Sequence, residues 1–139
     1  MPSTYTELYY HFIWANKGRE PLITLAMEPR LYAYIRKRCE EMRVLVRALD
    51  GTEDHSHMAA SLPTSLAVAD FLETIKGASS HRMNHLPDVD WRLYWQEGYG
   101  ALTFSKRDLP LVVAYIHNQK RHHAERTLRP KLERASSEE

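Results

Sequence analysis

An α+β domain is what this sequence predicts: an antiparallel four-stranded sheet, two helices on one of its faces, and an added helix near the C-terminus. Three observations predict it. Four short runs rich in aromatic and β-branched residues are separated by two stretches whose apolar residues recur at helical spacing. Runs and stretches follow the order strand, helix, strand, strand, helix, strand. A last helical stretch, residues 108 to about 122, comes after the final run.

The first strand is expected over residues 5–14, with Tyr10, Phe12 and Trp14 on one face and Tyr9, His11 and Ile13 on the other. Gly18 and the charges around it close it as a loop. A helix is expected over 25–42, because Pro29 is tolerated in a first turn and Leu31, Ile35, Cys39 and Met42 form an apolar stripe. Val44-Leu45-Val46-Arg47-Ala48-Leu49 reads as the second strand, and Asp50-Gly51 as the turn after it. The third strand carries Asp54-His55-Ser56-His57-Met58-Ala59-Ala60-Ser61 and stops at Pro63. Thr64 or Ser65 is suited to cap the second helix, whose apolar positions are Val68, Phe71, Leu72, Ile75 and Met83. The fourth strand is expected over 93–104, with Gly98 and Gly100 marking a bend or bulge. Asp108 is suited to cap the last helix, with Pro110 in its first turn. This is the split βαβ, ferredoxin-like order, βαββαβ, over one domain spanning residues 1–128, followed by a polar tail, 129–139, weakly ordered at its end.

Composition bounds the function. A chain of 139 residues suits one domain with a real core. No run of about eighteen apolar residues predicts a membrane span, and the first residues lack the basic start and apolar stretch of a secretory signal. Cys39 is the only cysteine, which excludes an internal disulfide and a cysteine-held zinc, and fits a cytoplasmic protein. The formal net charge of +1 argues against indiscriminate duplex binding. Bases nevertheless dominate from Ser105 onward, through Lys106, Arg107, Lys120, Arg121, Arg126, Arg129, Lys131 and Arg134. Charge alone is compatible both with a surface that tracks phosphates and with a solvated helix face.

The candidate chemistry starts at His55 and His57. Two residues apart on a strand they point the same way, so they can supply two adjacent corners of a metal site. A third donor is needed, and the last helix offers one in Gln119. There Leu109, Val112, Val113 and Ile116 form an apolar arc, while Tyr115, Gln119 and His122 share a neighbouring flank. A tyrosine one turn from an amide oxygen suits a metal-assisted nucleophile: the phenol oxygen attacks a phosphate that the metal polarises. Lys76, Ser79, Ser80 and Arg82, in the later turns of the second helix, can contact phosphate oxygens. Each signal is weak alone. The histidines also read as a surface-facing pair, Tyr115 as a core-edge residue, and the second-helix group as ordinary polar surface.

In combination these motifs resemble the single-tyrosine HUH transposases, of the insertion-sequence-200 type and the related REP-associated tyrosine transposases. The resemblance runs through Tyr10-His11-Phe12-Ile13-Trp14 with Arg19-Glu20-Pro21, Asp54-His55-Ser56-His57, Ile75-Lys76-Gly77-Ala78-Ser79-Ser80, Tyr99-Gly100-Ala101, and Tyr115-Ile116-His117-Asn118-Gln119 with His122-His123. It implies a homodimer acting on single-stranded DNA with hairpin or palindromic ends. It implies His55, His57 and Gln119 as ligands of Mg2+ or Mn2+, and Tyr115 as the nucleophile that keeps a 5′ phosphate and releases a 3′ hydroxyl. Lys120, Arg121 and His122, in the basic last third, are further candidate DNA contacts. One departure stands out: the residue between the two histidines, bulky and apolar in the family, is Ser56 here, followed by small Ala59 and Ala60. That predicts thinner packing beneath the pair. The alternative reading is a non-catalytic or domesticated single-stranded nucleic-acid-binding module of the same fold.

Overall fold

Alternation along the central strands separates the molecule into two unlike halves. In the computed structural model, which describes residues 3–137, β1 (Tyr10–Ala15), β2 (Leu45–Gly51), β3 (His55–Ser61) and β4 (Gly100–Thr103) form one antiparallel sheet in the order β2-β3-β1-β4. Residues 1 and 2 of the N-terminal stretch and 138 and 139 of the polar tail lie outside the described residues. The order is that of the ferredoxin-like arrangement expected from the sequence.

Helices α1 (Met27–Glu41) and α2 (Val68–Asn84) cover one face, where Phe12, Trp14, Met58 and Ala60 meet Leu31, Ile35, Cys39, Phe71, Leu72 and Ile75 in one apolar core. Helix α3 (Leu109–His117) lies on the other face, with Val112 and Ile116 on Ala48 and Ala59. These two alanines, Ala48 on β2 and Ala59 on β3, leave room for the helix to lie close to the sheet. The register sets Ile13 opposite His57 and Ala15 opposite His55, so the histidines sit on a central strand with partners on both sides. No helix among the described residues is long and apolar enough to cross a membrane.

The first strand begins only at Tyr10, not at residue 5, and the structure departs from the sequence reading in four further places. The fourth strand is only Gly100–Thr103, plus an isolated bridge between Asn16 and Trp95. Upstream, the backbone keeps two bonds at the end of β1, Gln96 N–H to the Ala15 carbonyl and Lys17 N–H to the Tyr94 carbonyl, and side chains of α2 take other groups: Asn84 brackets the N–H and carbonyl of Leu93 at 2.7 and 2.9 Å, and the Lys76 ammonium donates to the carbonyls of Gln96 and Gly98 at 2.8 and 2.7 Å. The last helix is broken at Asn118, whose side-chain amide donates back to the Ala114 carbonyl at 2.8 Å, and continues as α4 (Gln119–Glu125). The expected caps make no side-chain cap bond: α2 starts after Ala67, well past Thr64 and Ser65, and Asp108 ends a 3-10 turn that runs straight into α3.

The last departure matters most. The polar tail, given no element in the sequence reading, folds back across the sheet through a 3-10 turn at Pro130–Leu132, and buries Ala135 against Ile13 and Ala15. It crosses β4 so closely that a Cβ on Gly100 would stand 1.9 Å from the Arg134 carbonyl oxygen. Only glycine admits that crossing.

Candidate active site

His55 and His57 are fully buried on the face of β3 that α3 and α4 cover, so they are not a surface pair. Each is oriented by a partner at Nδ1. His55 Nδ1 donates to Asp54 Oδ1 at 2.7 Å, with Thr52 Oγ1 at 2.9 Å. His57 Nδ1 faces His11 Nε2 at 2.8 Å. Holding Nδ1 leaves Nε2 of both rings aimed at one space, the usual support of a metal-ligating imidazole.

Ser56, on the opposite face, is fully buried and shares a hydrogen bond with the Tyr32 hydroxyl at 2.9 Å. The thin packing expected beneath the pair is therefore filled from α1 by an aromatic ring whose polar tip the serine satisfies.

The break after α3 brings the remaining groups in. Gln119, buried at the start of α4, sets its Oε1 3.2 Å from His55 Nε2 and 3.1 Å from His123 Nε2. Tyr115, one turn earlier, is 5% exposed and packs edge-on to His57 with ring centroids 6.2 Å apart. His122 stacks on the Tyr115 ring at 4.6 Å between centroids. Three of the four central residues read from the sequence thus meet the fourth within one chain.

Glu133, from the tail, is the member the sequence reading missed. Its Oε1 lies 3.2 Å from Nε2 of both His55 and His57, while Oε2 accepts from the Tyr115 hydroxyl and, at 3.1 Å, from the Gln119 amide. Separated from His57 by 76 positions and outside any periodic element, it carries no spacing signal. His123 was missed as well, although it follows Gln119 by one helical turn.

Because a carboxylate only accepts, two carboxylates on opposite ring nitrogens make His55 a cation. Burial opposes that charge, but the bonds to Asp54 and Glu133 outweigh it and lift His55 to about 9. Burial holds His57 down to about 4 against the pull of Glu133, and holds His11 down to about 3. Burial raises Glu133, yet hydrogen bonds from His55 and His57 overcome it and hold the carboxyl far below its ordinary range. Burial pushes Tyr115 up to about 12, opposed by the Arg129 backbone N–H at 3.1 Å and reinforced by Glu133, so the phenol is held protonated.

The donor set tests the expected metal on chemical grounds. His55, His57 and Glu133 place one ligand atom each within 4.8 Å of one another, and imidazole nitrogens with carboxylate and amide oxygens suit a borderline divalent cation. The residues fit the ion.

The other expected contacts are placed differently. Ser79 is fully buried, donates to the Lys76 carbonyl and accepts from Trp95 Nε1 at 3.0 Å; the phosphate contact read for it has no surface to act from. The Lys76 ammonium is bound to two carbonyls, and Ser80 bonds back into its own helix at 3.0 Å. Arg82 lies over the Tyr34 ring. Lys120 pairs with Glu28 and Asp50 at 2.8 and 2.9 Å, tying α4 to the body. Arg121 pairs with Glu125 at 3.3 Å. A hollow of about 550 Å³ opens beside Tyr115, lined by Phe104, Leu111, Arg121, His122 and Arg129 among others.

This fold belongs to DNA-transposition proteins of known structure. A chain described as a transposase of Deinococcus radiodurans superposes with a TM-score of 0.65 at 27% identity, over 86% of this chain and 96% of its own. The structure of a REP-associated tyrosine transposase bound to a REP hairpin shares the fold with a TM-score of 0.66 at 17% identity, over 88% and 74%. The chain belongs to the IS200-like transposase family, whose model matches residues 4–119. Curated relatives agree: it is 28% identical to the ISDra2 transposase TnpA of Deinococcus radiodurans, over 81% of this chain and 84% of that protein. It is 27% identical to the IS200 transposase of Salmonella typhimurium, over 79% and 75%.

Proposed function

We propose that this chain cuts and rejoins single-stranded DNA at hairpin ends through a 5′-phosphotyrosine on Tyr115. The observation that carries the reading is the single cluster in which the Tyr115 hydroxyl, two oriented imidazoles and the Gln119 amide share one carboxylate. A divalent cation, Mg2+ or Mn2+, held by His55, His57 and Gln119 with Glu133 beside them, would supply the positive charge that polarises the scissile phosphodiester and favours the phenolate. Tyr115 gives up its phenol proton to solvent and its Oη forms the bond to phosphorus; the bond to the 3′ oxygen breaks, and a 3′ hydroxyl leaves with a proton from solvent. Reversal by another 3′ hydroxyl rejoins the strands. No nucleotide cofactor is needed, because the phosphotyrosine conserves the energy of the broken linkage.

The chain's own residues position the reaction. Asp54 and His11 hold the imidazoles, and His122 stacks on the nucleophile's ring. The hollow beside Tyr115, with Arg121 and Arg129 on its wall, suits a nucleotide next to the scissile phosphate. Lys120, Arg121, His122, Ser80 and Arg82 remain the proposed outer DNA contacts, with Lys120 and Ser80 reaching DNA only by leaving their present partners. The solved relative of this fold that holds a REP hairpin supports a hairpin substrate. The family resemblance also supports a homodimer acting in the cytoplasm.

The test incubates purified protein with single-stranded hairpin DNA and Mn2+ and looks for a covalent adduct in a denaturing gel. The expected band disappears in Tyr115→Phe while hairpin binding persists. Binding with no adduct under any divalent metal overturns the enzyme reading and leaves the binding module.

A further inference from the structure

Glu133 Oε1 lies 3.2 Å from His55 Nε2, 3.2 Å from His57 Nε2 and 3.4 Å from His123 Nε2. His123 Nε2, with Gln119 Oε1 3.1 Å away, therefore borders the space that the His55 and His57 nitrogens face. We infer that His123 is a third imidazole ligand of the cation, so that this centre is three-histidine with Gln119 and Glu133 as its oxygen donors. The inference rests on the proposed reading that the cluster takes a divalent ion. It adds a donor and an ion preference to that reading.

Local structure explains how His123 gets there. Gln119 and His123 are one turn apart on α4, so both point toward β3. Lys120, on a different side of the same turn, anchors α4 through Glu28, Asp50 and the Gly51 carbonyl. The His123 ring rests against that of His55, with centroids 4.8 Å apart. Its Nε2 approaches Gln119 Oε1 at 3.1 Å as well, so it faces both oxygen donors at once. By contrast the adjacent His122 turns away, stacks on Tyr115 and bonds Thr127 Oγ1 at 2.8 Å through Nδ1. The two neighbouring histidines therefore have separate tasks, one at the ion and one at the nucleophile.

Three nitrogens change which ion fits. Mg2+ takes oxygen ligands and keeps much of its water, whereas first-row transition ions accept imidazole readily. A nitrogen-rich centre favours Mn2+, and other transition ions more strongly, over Mg2+.

Isothermal titration of the full chain with MnCl2 and with MgCl2 tests this. Wild type is expected to bind Mn2+ more tightly than Mg2+. His123→Ala is expected to weaken Mn2+ binding by about 100-fold or more, at least the loss caused by removing a partner that only supports a ligand. Replacement of the exposed His117 leaves it unchanged. His123 has a side chain 30% exposed, so its truncation is compatible with folding. Equal Mn2+ affinity in wild type and His123→Ala overturns the inference while the proposed function stands; no divalent binding by wild type overturns both. A measurement without any substitution closes the case: electron spin-echo modulation of the Mn2+-loaded chain counts coupled imidazole nitrogens. Three are expected, and two contradict the assignment.

Discussion

The two faces of the sheet are made by alternate residues of the same strands, yet they do opposite things. Phe12, Trp14 and Met58 look toward α1 and α2 into a dry apolar core. His11, His55 and His57 look the other way into a polar cluster closed by α3, α4 and the tail. One side is held by burial of apolar area; the other adds to two smaller apolar clusters a set of charge-assisted hydrogen bonds that a metal can replace. The difference teaches that stability and chemistry are separable here at the resolution of a single residue step along β1 or β3.

Substitutions on each face should keep to their own side. The largest effect is expected from His57→Ala, which should lower strand cleavage by about 100-fold or more while hairpin binding persists. Mn2+ at about a hundred times its dissociation constant should stabilise wild type by about 2.7 kcal/mol, and this increment should vanish in the variant. Equal loss of binding and cleavage would merge the two faces and contradict the separation. On the dry side, Phe12→Ala should cost about 3–5 kcal/mol in urea denaturation and leave Mn2+ affinity of the folded chain unchanged.

A smaller effect probes the seam between the faces. Ser56→Val should cost about 1–3 kcal/mol, because it leaves the Tyr32 hydroxyl buried without its partner. The double variant Ser56→Val with Tyr32→Phe should recover most of that loss. If the single variant is neutral, the serine does not support the strand as argued. The smallest effect belongs to Cys39. Burial pushes its thiol up to about 12, and a raised thiol remains protonated at pH 8, well below that value. Native protein should therefore resist a thiol reagent at pH 8 and react fully in denaturant, with the absorbance of the released thiolate as the readout.

Much of this arrangement was legible before any coordinates. Period-two alternation in β1 sorted Phe12 and Trp14 from His11 and Ile13, and His-x-His spacing placed the imidazoles on one face. Tyr115 and Gln119, read as one turn apart on a single helix, reach the same cluster although the helix is interrupted at Asn118 between them. Local periodicity carries such information because it depends only on backbone geometry. The strand expected over 93–98 shrinks to a bridge at Trp95 for a different reason: Asn84 and Lys76, distant in sequence, take backbone groups of Leu93, Gln96 and Gly98. Ser56 looked like a packing defect until Tyr32 arrived from α1.

By itself the sequence determined the order of elements, the two faces of the sheet, and the His55, His57, Tyr115 and Gln119 quartet. Only the tertiary structure decided that Glu133 and His123 join it. A carboxylate in a basic, aperiodic tail acquires its role by where the chain crosses β4 over Gly100, and long-range crossings leave no mark in residue spacing.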